Sequence, residues 1–289
     1  MKTILLGVSL MSALVLSGCQ PSASSESDND TSSSLNSEVT ESQSSSTDET
    51  ETSEASSSAQ SSMESTEETP DEQQAFQYKI NPVTSVVEPI DAETESKVAL
   101  LTFDDSPDQH AVDIAEQLKS INAPAIFFVN GMYIESDEGK DKLKQIYDMG
   151  FEIGNHTQTH PNLSTISSEE QREEILKTNE LIYEVTCEKP HFFRAPHGVT
   201  TETSDAIMAE EGMVSMNWTY GYDWEADYQT SEALTDIMLN TEYLNDGANL
   251  LMHDRTWTNE AVLPIAEGLI DKGYTLVDPK LIETPERED

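Results

Sequence analysis

The stretch KVALLTFDDS, at residues 97–106, joins an apolar run to two adjacent carboxylates. Residues 97–103 are mostly apolar, which is typical of a strand that is buried on both faces. Helical periodicity follows at residues 112–121. A strand followed by a helix predicts the start of a parallel α/β unit, with Asp104 and Asp105 just after the carboxyl end of the strand.

The same alternation continues to residue 277. Further strands are predicted at residues 125–130, 151–155, 191–194, 214–218, 249–253 and 274–277. Further helices are predicted at residues 141–149, 168–185, 203–211, 231–240 and 259–272. Because the pattern repeats about seven times and includes no glycine-rich dinucleotide-binding motif, we predict a single α/β barrel domain rather than an open doubly wound sheet.

Titratable residues cluster just after the predicted strands, which is where barrel proteins carry their working groups. Each group alone is a weak signal, since adjacent aspartates are usually a solvated turn. Four of the six histidines of the chain nevertheless fall in these groups, and we predict that the groups form one site. The five groups are residues 104–105, 156–160, 194–198, 222–224 and 253–254.

Asp105, His156 and His160 are a natural set of metal ligands. Two imidazoles four residues apart on one helical turn can converge, and a carboxylate completes three ligands with an open position for water. Zinc is the expected ion, although cobalt or another divalent ion fits the same donors. Such an ion polarises a carbonyl and lowers the pKa of bound water to about 7. Asp104, if it stays off the metal, is then the candidate general base.

These motifs resemble a known family when they are taken together and in order. TFDD, HxxxH, RxPxG, DW and LxH, over roughly residues 95–280, are similar to the polysaccharide deacetylases of carbohydrate esterase family 4, the NodB homology domain. The resemblance implies a distorted (β/α)7 barrel and metal-dependent removal of acetyl groups from a glycan. It also implies the catalytic residues and their roles: Asp104 as general base, Arg194 as its partner, His253 as general acid and Asp223 as the residue that sets the charge of His253.

The resemblance further implies the residues that contact substrate. Trp224 and Leu251 would border the slot for the acetyl methyl group, and the backbone N–H of His197 would stabilise the oxyanion. The chain departs from the family at three positions. Ser106 stands where glycine is usual, His197 where tyrosine is frequent, and Tyr220 where an aspartate is expected.

Three functions are therefore kept open. The favoured one is an N-deacetylase acting on N-acetylglucosamine units of a cell-envelope or chitin-like glycan, with peptidoglycan first. The others are a non-catalytic glycan-binding lipoprotein and an O-acetyl esterase of the xylan type. The chain contains neither HExxH nor GxSxG, which disfavours a metalloprotease and a serine esterase.

The first 72 residues are predicted to be a targeting signal and a linker rather than part of the folded domain. Residues 1–18 have a lysine, an apolar run and small residues before Cys19, as a secretory signal does, and residues 16–19 resemble a lipobox in which Cys19 is lipidated. Residues 19–72 are rich in serine, threonine and acidic residues and have no lysine or arginine, so we expect a disordered linker. The catalytic domain would then comprise residues 73–289.

The charge of the chain bears on its partners. It has 56 acidic and 15 basic residues and a formal net charge of -41. Such a balance disfavours nucleic acid, since affinity for phosphate backbones comes largely from lysine and arginine. We expect a monomer, held to the outer face of a membrane by its lipid and directed towards the cell wall, with an acetylated glycan as its partner.

Overall fold

Short parallel strands alternate with helices from residue 98 onward, and this computed structural model describes residues 75–287. They all belong to one compact unit, Gln73–Asp289. Cys19 and the predicted segments 1–18 and 19–72 lie outside the described residues. Within residues 75–287, no helix has the length and apolar character that crossing a bilayer requires.

The ten strands and six α-helices found within residues 75–287 have the following bounds. The strands are β1 Tyr78–Ile80, β2 Val87–Pro89, β3 Val98–Ser106, β4 Ile126–Val129, β5 Glu152–Asn155, β6 Phe192–Phe193, β7 Val214–Ser215, β8 Tyr220–Gly221, β9 Ala248–His253 and β10 Thr275–Leu276. The helices are α1 Ala111–Ser120, α2 Asp137–Asp148, α3 Ser168–Thr186, α4 Glu202–Glu211, α5 Ser231–Asn240 and α6 Thr256–Asp271.

Seven strands form a curled parallel sheet in the order β7-β6-β5-β4-β3-β9-β8, and β10 pairs with the beginning of β3. The helices pack in a row outside it, with neighbouring pairs α5 and α6, α6 and α1, α1 and α2, α2 and α3, and α3 and α4. This arrangement confirms the predicted distorted (β/α)7 barrel. All strands of the sheet run in the same direction, so their carboxyl ends meet on one face.

The barrel has a seam where its two end strands, β7 and β8, are not hydrogen-bonded to each other. The two strands follow one another in the chain, and residues 216–219 cross the seam between them. The sequence predicted one strand at residues 214–218, which was wrong after residue 215. The chain leaves the ladder there because the next two-residue strand, β8, pairs with β9 at the opposite end of the sheet.

An antiparallel hairpin, β1 and β2, precedes the barrel. It was not predicted, because each strand is only three residues long. Its apolar residues Tyr78, Ile80 and Val87 pack with the inward-facing residues of the barrel strands, which include Leu100. The hairpin therefore completes the interior of the barrel at the amino ends of the strands.

Side chains alternate between the two faces of each strand, so alternate residues pack against the helices or point into the barrel, where the site lies. In β3, Ala99, Leu101 and Phe103 face the helices, whereas Val98 and Leu100 face the interior. The same alternation makes Thr102 and Asp104 the next inward positions. In β9, Ala248, Leu250 and Met252 face the helices, so Asn249, Leu251 and His253 point inward. The polar site is thus built on the inner face, towards the carboxyl ends.

Candidate active site

Asp104 and Arg194 form a buried ion pair at the centre of the site. Asp104 ends the inner face of β3, and its strand neighbour in β9 is His253. Arg194 directly follows β6, is fully buried, and donates from Nη1 to Oδ1 of Asp104 at 2.7 Å. An uncompensated charge at such a depth would be very unfavourable, so each of the two side chains requires the other.

Every donor direction of the Arg194 guanidinium is matched by an acceptor. Arginine offers five N–H groups in a fixed planar arrangement. Its acceptors come from three segments of the barrel: Thr102 Oγ1 and Asp104 Oδ1 for Nη1, Asn217 O and Asn249 Oδ1 for Nη2, and Met216 O for Nε. The Phe128 ring lies 4.3 Å from the guanidinium carbon. Asp104 is therefore held by an arginine whose own position is fixed by hydrogen bonds in every donor direction.

Asp105, His156 and His160 converge beside this pair. One oxygen or ring nitrogen from each residue lies within 4.8 Å of the others. Oδ1 of Asp105 lies 3.6 Å from Nε2 of His160 and 3.9 Å from Nε2 of His156. The predicted set of ligands is thus brought together in space.

The orientation of His156 tests whether these residues suit a metal ion. Its Nδ1 lies 2.7 Å from the backbone carbonyl of Arg194. A carbonyl oxygen only accepts, so Nδ1 carries the proton and Nε2 presents a lone pair to the cluster. This outer contact is the usual way in which a metal-binding histidine is oriented. A carboxylate and two imidazoles match a divalent ion such as zinc or cobalt, and the residues fit the predicted group.

The two histidines converge by a route that differs from the predicted one. Residues 156–160 form no helix, so the expectation of two imidazoles on one helical turn was wrong. Thr157 and His160 have positive φ of 67° and 60°, as does Asp105 at 57°. Left-handed backbone at non-glycine residues is unfavourable and is concentrated at functional sites. Sharp turns, rather than helical spacing, direct these ligands inward.

His253 and Asp223 form a second pair on the other side of the pocket. Nδ1 of His253 lies 2.7 Å from Oδ1 of Asp223, so Nε2 is left for the pocket. Asp223 is buried, follows β8, and is held by Thr258 Oγ1 at 2.8 Å and by Trp257 Nε1, which donates to its backbone carbonyl at 2.7 Å. The imidazole therefore has a fixed orientation.

The pKa values of the two candidate proton-transfer groups move in opposite directions. Burial alone would raise the pKa of Asp104, but the charges of Arg194, His156 and His253 outweigh it and lower the pKa below the ordinary value. Burial alone would lower the pKa of His253, but the Asp223 hydrogen bond and charge raise it overall. The lowered pKa favours the carboxylate form of Asp104 and the raised pKa favours the protonated form of His253, which are the forms that a general base and a general acid require.

These groups line an open pocket of about 300 Å³. The predicted substrate residues His197, Trp224 and Leu251 all border it, together with Trp218. Trp224 is 44% exposed and its ring stands edge-on to His253 with centroids 5.6 Å apart. The His197 ring lies 4.9 Å from that of His160. The pocket thus has aromatic walls around a polar floor, which is typical of ligand sites.

Two residues outside the predicted catalytic and metal-binding sets support the site. Arg255 donates from Nη2 to Oδ2 of Asp105 at 2.9 Å, which leaves Oδ1 directed at the histidines. Asp254 accepts from the backbone N–H groups of Asp108, Gln109 and His110, and so fixes the loop after β3. Asp254 belonged to a predicted polar group, but nothing in one sequence indicates that its partners are backbone amides 144–146 residues away.

Two of the departures from the family pattern lie away from the pocket. Tyr220 is buried and donates its hydroxyl to the Met238 carbonyl in α5 at 2.8 Å, so it supports packing. Ser106 is fully buried, and its Oγ has no hydrogen-bond partner among the described residues. Of the three departures, only His197 reaches the pocket.

Comparisons with known proteins agree with this geometry. The family model for polysaccharide deacetylase matches residues 91–216. A peptidoglycan-N-acetylglucosamine deacetylase from Bacillus cereus is 31% identical over 155 residues, which make up 53% of this chain and 54% of that protein. The chain therefore spans about half the length of this relative. A chitooligosaccharide deacetylase from Bradyrhizobium is 31% identical over 160 residues, or 53% of this chain and 69% of the relative.

A solved structure shows that a protein with a similar fold and sequence can be a pseudoenzyme. A pseudoenzyme of carbohydrate esterase family 4 from Bacillus anthracis superposes with a TM-score of 0.57 and 30% identity, over 63% of this chain and 63% of that chain. That protein has the fold without being described as an active enzyme. Activity therefore has to be argued from the residues of the site.

Proposed function

The chain belongs to the polysaccharide deacetylase family, and on that basis we propose that it hydrolyses acetamide groups of N-acetylglucosamine units in a cell-envelope or chitin-like glycan, with peptidoglycan as the first candidate. The observation that supports this most directly is one pocket that brings together Asp104, whose pKa is lowered, His253, whose pKa is raised, and a three-residue metal-binding set. A purely glycan-binding surface needs none of these in combination.

Asp105, His156 and His160 would hold the ion, which we take to be zinc, with cobalt as a substitute. When bound, such an ion supplies Lewis-acid activation of water and of the acetyl carbonyl. Arg255 binds one carboxylate oxygen of Asp105 and so keeps the other oxygen turned to the histidines.

Asp104 acts as the general base. Arg194 occupies its Oδ1, while Oδ2 lies 3.5 Å from Nε2 of His156 and is directed at the ligand cluster. A proton taken from the attacking water therefore goes to Oδ2. The neighbouring positive charge keeps the carboxylate ionised beforehand, so that it is ready to accept the proton.

His253 acts as the general acid from the opposite wall. Its Nδ1 is held by Asp223, so Nε2 delivers the proton to the sugar nitrogen as the carbon–nitrogen bond breaks. Trp224 and Leu251 border the space next to His253 and would hold the acetyl methyl group. The backbone N–H of His197 is the proposed donor to the oxyanion.

The test is acetate release by the full chain. Purified protein is loaded with zinc, its metal content is measured, and it is incubated with chito-oligosaccharides, peptidoglycan and acetylated xylan. We expect acetate and free amines from the first two substrates. Release from xylan alone would support the O-acetyl esterase. Glycan binding without acetate from any substrate, with zinc bound, would instead support the non-catalytic lipoprotein.

We further propose that lipid on Cys19 anchors the protein outside the cell membrane, facing the wall. The support is sequence alone: a short apolar run and small residues before Cys19, then 53 residues, 20–72, without lysine or arginine. Fractionation of cells that express the chain or its Cys19→Ser variant tests this. We expect the parent in the membrane fraction and the variant in the medium, and equal partition of both would refute the anchor.

A further inference from the structure

The loop of the β1–β2 hairpin reaches the seam of the barrel and ends at Ser85. Asn81 closes this loop: its backbone carbonyl accepts from Ser85 N–H at 2.9 Å, and its side chain accepts from two further loop amides. Ser85 is only 6% exposed, although its neighbour Thr84 is exposed. The loop thus places one small polar residue inside the barrel wall.

Ser85 holds two asparagines, one through its side chain and one through its backbone. Its Oγ accepts from the backbone N–H of Asn217 at 3.0 Å. Its carbonyl oxygen accepts from Nδ2 of Asn249 at 3.3 Å. Asn249 is fully buried on the inner face of β9, and Asn217 belongs to the segment that crosses the seam.

The same two asparagines supply both acceptors for Nη2 of Arg194. The Asn217 carbonyl lies 2.9 Å from Nη2, and Oδ1 of Asn249 lies 3.3 Å from it. Nη1 of Arg194 in turn binds Asp104. An unbroken series of hydrogen bonds therefore connects the hairpin to the carboxylate of the proposed base.

We propose that Ser85 is a positioning residue for the reaction, and that the hairpin orients Arg194, and through it Asp104, by fixing Asn217 and Asn249. This role rests on the proposed function, in which Asp104 removes a proton. The hairpin lies wholly before residue 91, where the match to the family model begins. Its partners Asn217 and Asn249 lie after residue 216, where the match ends, so both ends of the contact lie outside the matched segment.

The physical reason is the open seam. Where a barrel is closed by a strand ladder, backbone groups are fixed by their neighbours. Residues 216–219 cross between β7 and β8 outside such a ladder, so the orientation of the Asn217 carbonyl depends on other contacts. Ser85 supplies one of them, on the amide of the same residue. Small displacements of catalytic groups lower turnover strongly.

The decisive variant is Ser85→Gly in the full, zinc-loaded chain. Ser85 has φ of 58°, a conformation that glycine adopts without strain, so removal of Oγ need not weaken the fold. We expect kcat on chito-oligosaccharide to fall roughly 3- to 30-fold, with KM, zinc content and Tm close to the parent. KM is unaffected because Ser85 does not border the pocket.

Thr84→Ala is the matched control. Thr84 is exposed in the same loop, and its hydroxyl accepts only a long 3.5 Å contact from Val86 N–H. We expect parental kcat from it. Ser85→Ala also lacks Oγ and serves as the second variant if Ser85→Gly is poorly folded. Parental kcat in a folded Ser85 variant would overturn the proposal.

A measurement without substrate separates this proposal from the proposed function. Proton–nitrogen NMR reports the exchange of the Arg194 guanidinium protons with solvent. We expect faster exchange in Ser85→Gly than in the parent or Thr84→Ala. Should the parent release no acetate, the proposed function fails, and unchanged exchange would separately show that Ser85 does not hold Arg194.

Discussion

Asp104 is buried, which favours the neutral carboxyl group, and yet the proposed reaction requires the charged form. Arg194 resolves this conflict by lowering the pKa of the carboxyl against the effect of burial. The resemblance to carbohydrate esterase family 4 implied this pair, whereas the residues alone predicted only that both side chains follow strands; β3 in fact extends past Asp104 to Ser106. The sequence predicted the clustering because strand ends are fixed by the barrel. It did not predict Asn249 or Asn217 as partners of Arg194, since neither residue type nor spacing distinguishes them from ordinary strand residues.

Asp104→Asn separates the base from the metal set. The amide keeps the shape of the carboxylate but does not take a proton from water, so we expect kcat to fall about 10²- to 10⁴-fold. Zinc content should stay at the parental level, because Asp105, His156 and His160 are intact. Atomic absorption on the purified variant, with acetate release, measures both.

His156→Ala is the companion variant and should lose zinc and activity together. An Asp104→Asn protein that keeps near-parental kcat would show that another group is the base.

Asp223→Asn changes the pH dependence through His253. The Asp223 charge and hydrogen bond raise the pKa of His253 above 6.5. A general acid is active while protonated, so activity is present below this raised pKa and is lost as pH rises through it. Removing the charge lowers the pKa, and we expect the alkaline limb of kcat against pH to move to lower pH. An alkaline limb at the parental pH would show that Asp223 does not raise the pKa of the general acid.

At the scale of elements, long segments were predicted well and short ones poorly. The helix predicted at residues 231–240 is α5 with the same bounds, and the one at 168–185 is α3 to within one residue. Two-residue strands such as β8 give no periodicity to detect. Tyr220 and Gly221 form a strand because β9 provides the partners, which is a tertiary effect.

α3 begins with a capping box that contributes to stability but lies apart from the reacting groups. Ser167 Oγ accepts from Glu170 N–H, and the Glu170 carboxylate accepts from Ser167 N–H at 2.8 Å. We expect Ser167→Ala to lower the free energy of unfolding by about 1 kcal/mol, as measured by urea denaturation. Its kcat should equal that of the parent. A large loss of activity at unchanged stability would contradict this assignment.

At the scale of the whole molecule, the metal set joins two segments of the barrel. Asp105 lies in the last residues of β3, and both histidines follow β5. An ion bound to them stabilises only the folded chain, because the unfolded chain has no such site. We expect zinc at about 100 times its Kd to add about 2.7 kcal/mol to the free energy of unfolding.

Calorimetry with and without chelator checks this expectation, and His156→Ala is the control that should show no zinc-dependent rise in Tm. An equal rise in the parent and in His156→Ala would place the ion elsewhere.

The seam of the barrel also limits what amino-acid substitution can change. Met216 and Asn217 present main-chain oxygens to Arg194, and every amino acid possesses that atom. Replacing either side chain therefore changes the residue type at these two positions but leaves the carbonyl acceptor in place. A mutational scan of the partly buried Asn217 would not reveal that the guanidinium relies on its carbonyl, whereas substitutions of Met216 also disturb the core in which its side chain is buried. A change in backbone path, such as an inserted or deleted residue between positions 215 and 220, would remove these acceptors.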